Sequence, residues 1–537
     1  MSAAEKIAAA ADRLERTANE NGGAYQEPEG YRGSVARTMF DRPGSEDGTI
    51  TVLVPEHQIG NLTREAYVRI ASMHPRTNEI EAEYLGVIAS GPFAEPDALG
   101  ANAPTLVVAA AHGAVLTPKY HGIAQVEVFG ERTDGVVIPP VKRPCPNSPV
   151  FLLGDDDIKS VLGLNIPPEN KPVRLGLLDG VSSLAVEIPA AQKSVLFKHV
   201  AILGTIGGGK STTVSGTMMK FAEAGNAVVV FDTEGEYTTM NGPTENPRML
   251  AALKKRALSA RGAKKTRLFY LSGRSPSNPD HPDKRDFKIP FDNLSQYVLT
   301  EVLGLSEAQE RRLLDAYEVC RITMERKAIA KRLWRMKKAG VFAEAAKERI
   351  NVDDMLEPGQ ISIVDLSDMD APYLRNLVIA QMLRSLQQRQ DELYVEREDA
   401  IRKNEEPKPP TRVNIFIEEA HEFLSAQRIK QMPNLFDQVA RIARRGRKRY
   451  LGLVFVTQLP SHLPDEVLGL VNNWILHKLT DTGVVNRLRK VVPGVNEATW
   501  NSLPNLAPGQ ALCSFTHLAR PIMTTVDPSP CQLRMVD

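Results

Sequence analysis

Eight consecutive residues, Gly204-Thr205-Ile206-Gly207-Gly208-Gly209-Lys210-Ser211, fit the spacing GxxxxGK[ST] and stand between the apolar run HVAILG and the helical stretch STTVSGTMMKFAEAG. This is the strand-loop-helix context that a phosphate-binding loop requires. Glycines let backbone N–H groups turn inward around phosphate oxygens, and the helix N-terminus adds positive dipole. The nucleotide contacts are therefore expected from Gly204, Thr205, Ile206, Gly207, Gly208, Gly209, Lys210, Ser211 and Thr212. Lys210 would reach the β and γ phosphates of ATP, and the Ser211 hydroxyl would ligate Mg²⁺. Since NAVVVFDTEGEY supplies another strand after the helix, the unit is β-loop-α-β and the sheet parallel.

Ligands of open parallel sheets bind at the carboxyl ends of the strands, so the polar residues that end the other apolar runs carry the most information. The run VNIFI ends in Glu418-Glu419. Glu418 is expected to support Mg²⁺, and Glu419 to polarise the attacking water as general base. The run LGLVFVTQ ends in Gln458, placed to sense the γ-phosphate or its water. Asp232, at the end of the second strand, is either active-site support or a turn former. Between Lys430 and Tyr450 stand seven basic residues and one acid, with Leu435, Phe436, Val439, Ile442 and Ala443 at helical spacing along one face. Arg441, Arg444 and Arg445 project away from that stripe. They are open to three uses: a finger entering a neighbouring subunit's ATP site, contacts to a nucleic-acid backbone, or simple solvation.

The 537 residues exceed one hydrophobic core and imply two or more domains. A formal net charge of +1 gives no whole-chain attraction to nucleic acid, so any basic surface is local. Four cysteines without a CxxC pair suggest neither a zinc site nor a disulfide framework and fit a reducing cytoplasm. No apolar run reaches the about eighteen residues that span a bilayer, and charges interrupt the first residues too often for a secretory signal. Residues 1–30 are expected as a helix or arm, which either caps the fold or docks a partner, and residues 31–190 as a small β-barrel built of short apolar runs broken by turns. The ATPase core is expected over 191–292 and 356–537, interrupted at 293–355 by a Lys, Arg, Glu and Leu-rich helical insertion.

Taken together, HVAILGTIGGGKST, VVVFDTEGEY, QISIVDLS, NIFIEEAHEFL, RIARRGRKRYLGLVFVTQLPS and PGQALCSF resemble the HerA branch of the HerA/FtsK ATPases, from about His199 to Val526. The upstream barrel resembles the HAS-barrel of HerA proteins. The resemblance implies a RecA-like core and a homo-hexameric ring that hydrolyses ATP to translocate double-stranded DNA, with a separate NurA-like nuclease or antiphage defence effector. It assigns Lys210 and Ser211 to nucleotide and Mg²⁺, Glu419 to water activation, Gln458 to γ-phosphate sensing, and Arg444 or Arg445 to the finger. A conjugation or secretion-type ATPase and an ATP-dependent assembly scaffold are the alternatives. The sequence departs from the family at Gly207-Gly208, where Thr-Gly-Ser character is commoner, at Lys198, where Arg is usual, and at Thr233-Glu234, where Pro and His are.

Overall fold

The computed structural model describes residues 29–41, 48–74, 77, 79–96, 120–133, 136–290, 342–343, 348, 350–369, 372–431 and 433–534. The expected N-terminal helix before residue 29 and the expected helical insertion over 293–341 lie outside them. Two compact units divide at Val161/Leu162.

The first unit is a barrel. Its strands are β1 (Ala36–Thr38), β2 (Thr49–Val54), β3 (Tyr67–Met73), β4 (Ile80–Pro96), β5 (Tyr120–Thr133), β6 (Val136–Ile138) and β7 (Pro149–Leu152). They pair in the order β2-β1-β7-β3-β4-β5-β6, and β2 also pairs with β5 in antiparallel register from Thr49↔Glu127 to Val54↔Gly122. That last pairing closes six strands into a cylinder and leaves β6 as an outer flap on β5. Along β2, Ile50, Val52 and Val54 are buried while Thr51 and Leu53 are not, the period-two alternation that gives a small barrel its filled interior. Ile70, Ile88, Ala124, Val126 and Val150 complete that core.

The second unit is built on twelve strands. These are β8 (Pro172–Leu178), β9 (Val181–Pro189), β10 (Val200–Leu203), β11 (Ala227–Asp232), β12 (Thr266–Leu271), β13 (Lys284–Phe287), β16 (Ile361–Asp365), β17 (Val413–Ile417), β18 (Leu451–Thr457), β19 (Asn473–Leu476), β20 (Gln510–Ser514) and β21 (Ile522–Val526). β14 (Ile289–Pro290) and β15 (Phe342–Ala343) form a separate short pair. The sheet order is β13-β12-β16-β11-β17-β18-β10-β19-β20-β21-β8-β9. Strands β13 through β19 in that order run parallel, and the remaining four add on antiparallel. Every residue of β10, β11, β16, β17, β18 and β19 is buried, the continuous apolar pattern of strands covered on both faces.

Two boundaries differ from the sequence reading. β8 and β9 fall inside the stretch assigned to the barrel, yet they extend the large sheet through β21. Short antiparallel strands have the same alternation in a barrel as at a sheet margin, so pattern alone could not allocate them. Within the span 293–355, the part described includes β15 and a 3₁₀ turn at Val352–Met355, so that part is not an α-helix.

The sheet margin is tied to its flanking helix by charge. Asp527, just beyond β21, is 3% exposed and accepts hydrogen bonds from Arg174 of β8 (3.1 Å), from Lys220 of helix α1 (Lys210–Glu223) (3.1 Å) and from Arg256 (3.1 Å). Removing the one anion leaves three cations close together in a half-buried place. Asp527→Ala is expected to cost about 3 kcal/mol, measured as a shift in the urea-unfolding midpoint; Arg174→Ala alone should cost less.

Candidate nucleotide site

In a parallel sheet each strand's carboxyl end reaches the same edge, and the register here aligns them. Leu203 pairs with Thr457 and with Leu476, Phe231 with Ile417, and Asp232 with Asp365. The loops leaving β10, β11, β17 and β18 therefore open onto one place. Gly204–Ser211 leave β10 there, and Lys210 begins α1.

The loop's shape depends on its glycines. Gly207 (φ 74°) and Gly209 (φ 103°) occupy the left-handed region, and a Cβ on Gly209 would come 3.0 Å from the backbone N of Gly509. Gly208 N–H donates to the Thr205 carbonyl (3.2 Å) and Thr205 N–H to the Lys478 carbonyl (2.9 Å), which anchors the loop to the segment just after β19. Ile206 sits exposed at the tip, and Thr212 is half-buried in the first turn of α1. Lys210 Nζ donates to the Thr205 carbonyl at 3.1 Å. Burial pushes the Lys210 amine down, opposed by the charges of Glu419, Glu236 and Glu418. Those three carboxyls thus face the lysine.

The two acids after β17 have different surroundings. Glu418 is buried and accepts a hydrogen bond from Thr233 N–H (3.3 Å); burial, and then the nearby Asp232 charge, hold its carboxyl well above the ordinary range. Asp232 is fully buried and is pushed up to about 7, chiefly by burial. Its two oxygens accept from Glu236 N–H (3.0 Å) and Tyr237 N–H (2.9 Å), so it both forms the turn and supports the site, joining the two roles the sequence left open. Glu419 takes φ 44°, a left-handed backbone that a residue with a Cβ rarely adopts, and its Oε2 lies 3.1 Å from His421 Nδ1. That same nitrogen is 3.0 Å from the Thr457 hydroxyl at the end of β18. Gln458 follows directly, half-buried, one residue beyond the β18 position paired with Leu203.

Two residues of the site were not found from the sequence. Burial raises the Glu236 carboxyl, and the nearby Ser211 hydroxyl and Lys210 charge draw it back. His477, at the end of β19, is fully buried; its Nδ1 donates to the Gln510 carbonyl (2.9 Å), which leaves Nε2 to accept from the Thr213 hydroxyl of α1 (2.9 Å). Burial holds it at about 4, so the ring is a neutral brace between α1 and β20. The signal for both was their closeness to strand ends, in FDTEGEY and WILHKL.

The donor set fits a nucleotide with Mg²⁺: a cradle of backbone N–H groups tight against a Cβ at Gly209, one lysine within the field of three carboxyls, and the serine hydroxyl that follows it. Among the described residues no group of three or more His, Cys, Asp or Glu side chains is placed to hold a metal by itself. A cation would therefore be held by Ser211 together with phosphate oxygens. Bound there, Mg²⁺ would neutralise charge developing on the β and γ phosphates.

Arg444 and Arg445 lie elsewhere. They end helix α2 (Pro433–Arg445), and the preceding Ala443 carbonyl bonds His199 Nε2 (2.8 Å), immediately before β10 begins. This is the amino edge of the sheet, a strand length from the phosphate loop of the same chain: four residues of β10, about 13 Å at ~3.3 Å each. Arg441, Arg444, Arg445, Arg447 and Lys448 are exposed there, whereas Arg449 is used by Asp391 (2.7 Å) and by the Tyr394 ring (3.6 Å).

The Asp232 and Glu418 carboxyls keep a proton in the folded chain at a pH where the unfolded chain has lost it. The stability this contributes is complete below about pH 4 and is lost as pH rises through about 7. Asp232→Asn, which leaves one turn N–H without its acceptor, should lower the melting temperature at pH 5 yet make its further decline from pH 5 to about pH 7 shallower than in the parent. Parallel melting curves of equal slope would contradict this.

Comparison with known proteins agrees with the geometry. The family model described as Helicase HerA, central domain matches residues 173–347, and that described as Helicase HerA-like C-terminal matches 391–518. The DNA double-strand break repair helicase HerA of Sulfolobus acidocaldarius is 25% identical over 414 residues, covering 74% of this chain and 76% of the relative. The protein of the same name from Pyrococcus furiosus is 21% identical over 427 residues, covering 73% and 74%. Among solved structures, VirB4 of Thermoanaerobacter pseudethanolicus aligns with a TM-score of 0.42 at 13% identity over 67% of this chain and 96% of that one. The bacterial conjugative coupling protein TrwB aligns with a TM-score of 0.41 at 12% identity over 72% and 94%. The two family matches cover the phosphate loop, Asp232, Glu236, Glu418, Glu419, Gln458 and His477, and the chain belongs to the HerA-like P-loop ATPases.

Proposed function

We propose that the protein is an ATP-driven motor on double-stranded DNA that works as a homo-hexameric ring. The observation that carries this reading is the division of the sheet: the phosphate loop, Glu419 and Gln458 gather at one edge, while Arg444 and Arg445 stand at the other. An arginine that stabilises transferred phosphate must come within hydrogen-bond reach of it, which these two cannot do in their own chain. Head-to-tail packing brings the arginine edge of one copy against the phosphate edge of the next, and a heterologous contact of that kind makes a ring when the rotation between copies closes. Lys210 holds the phosphates, Glu419 activates water, Gln458 senses the γ-phosphate, and Arg444 or Arg445 completes the neighbour's site. Glu418 supports the metal only indirectly, by holding the turn with Asp232. The relatives named as DNA repair helicases support DNA as the track.

In the near-neutral chain, basic side chains concentrated on one surface act on DNA when copies of that surface add around a ring. Cleavage is assigned to a separate NurA-like nuclease or defence effector, because the sequence offers no nuclease constellation of its own. Among the described residues no helix is long and apolar enough to cross a membrane; the motor reading places the chain in the cytoplasm, where its DNA would be.

ATP turnover is expected to rise severalfold when linear double-stranded DNA is added, and to fall at least 100-fold in both Lys210→Ala and Glu419→Gln. Glu419→Gln should still bind ATP, since the amide keeps the size and backbone of the acid, whereas Lys210→Ala should bind weakly. Turnover indifferent to DNA at every salt concentration would overturn the motor reading in favour of an ATP-dependent scaffold.

A further inference from the structure

His199 stands just before β10 in a backbone conformation, φ 62° with ψ 149°, that glycine adopts freely and a residue with a Cβ adopts only under strain. What the histidine adds in return is its ring, and the residue is 2% exposed. Leu453 N–H of β18 donates to Nδ1 (3.0 Å), so Nδ1 is the acceptor and Nε2 carries the hydrogen. Nε2 donates that hydrogen to the Ala443 carbonyl (2.8 Å). Burial holds the ring at about 4, so it is neutral near pH 7 and this one tautomer satisfies both neighbours. The backbone is fixed as well. Asn473 donates to the His199 carbonyl through its N–H (3.2 Å) and its side-chain amide (2.9 Å), and the same amide reaches the Val195 carbonyl (2.9 Å).

Ala443 lies in the last turn of α2, where carbonyls have no intrahelical donor. His199 supplies a donor from outside the helix, and Arg444 and Arg445 are the next two residues. An arginine side chain has many rotamers, so the place its head can reach is set by where its backbone is held. The helix end is thereby tied to β10, a buried strand of four residues whose parallel partners are β18 and β19 and whose far end leads into the phosphate loop. We infer that His199 is the positioning residue of the arginine finger, fixing the end of α2 so that Arg444 or Arg445 meets the phosphates held by the neighbouring subunit. The inference rests on the finger reading given above. His199 itself meets no reacting atom and acts through the arginines.

The test uses two variants of the full-length chain. In His199→Asn the amide oxygen takes the place of Nδ1 and nothing reaches Ala443; in His199→Gln the longer side chain carries its amide nitrogen to the place of Nε2. Expected for His199→Asn are the native mass of the parent, ATPγS affinity within about twofold of it, and ATP turnover reduced about tenfold or more. His199→Gln should recover most of that turnover. Mixing His199→Asn with Lys210→Ala should raise turnover per His199→Asn chain severalfold, because the Lys210→Ala chain still presents a correctly held finger to its neighbour. Parent-like turnover in His199→Asn, or His199→Gln no faster than His199→Asn, would overturn the role of the Ala443 contact. A loss of ATPγS affinity that matches the loss of turnover, or turnover that stays low in rings shown by native mass to hold both chains, would overturn the inference and make His199 a brace of its own phosphate loop. Parent-like turnover by Arg444→Ala/Arg445→Ala alone would overturn the finger reading itself and the inference with it.

Discussion

The parallel hydrogen bonding of β16, β11, β17, β18, β10 and β19 is the constraint on which the rest of the second unit depends. It carries six strand ends to one edge in register, from Asp365 and Asp232 through Glu418 to Thr457, Leu203 and Leu476. Because every residue within these strands is buried, no chemistry can be placed along them. Polar function is displaced to the first residues beyond each strand, and there the phosphate loop, the acids and Gln458 collect. The same parallelism sends α2 back to the other edge before β18 begins, which fixes Arg444 and Arg445 away from their own loop.

Holding that many acids around one lysine has an electrostatic cost, and the fold meets it by giving them different environments. Asp232 and Glu418 are buried against one another and favour protonation, so they act on the backbone as neutral or shared-proton groups near pH 7. Glu419 takes a strained backbone, and its Oε2 lies 3.1 Å from His421 Nδ1, the nitrogen that meets the Thr457 hydroxyl on the strand leading to Gln458. His477, kept neutral by burial, adds rigidity without adding charge next to Lys210. The cluster therefore presents Lys210 with fewer full negative charges than its composition suggests.

Much of this was legible in the sequence. A glycine-rich loop between an apolar strand and a helix has one dominant physical use, and the acids and Gln458 were found by asking what ends each buried strand. Glu236 escaped because its placement depends on a turn made by Asp232 and Gly235, four residues of backbone conformation that composition does not encode. His477 escaped because a histidine at a strand end is silent until its partners, Thr213 and Gln510, are seen to be distant segments brought together. The arginines were picked out by charge density, but their edge of the sheet followed only from strand order. β8 and β9 were assigned to the barrel because strand alternation does not say which sheet a strand joins.

The central claim, that each ATP site is completed by the next subunit, is tested most directly by mixing two inactive chains. Lys210→Ala lacks the phosphate lysine, and the double variant Arg444→Ala/Arg445→Ala lacks the arginines, so neither should turn over ATP alone. In a mixed ring some interfaces join an intact phosphate loop to intact arginines of the other chain. The account predicts that turnover reappears on mixing and peaks near equal proportions. Absence of recovery at every ratio, in rings shown by native mass to contain both chains, would contradict it.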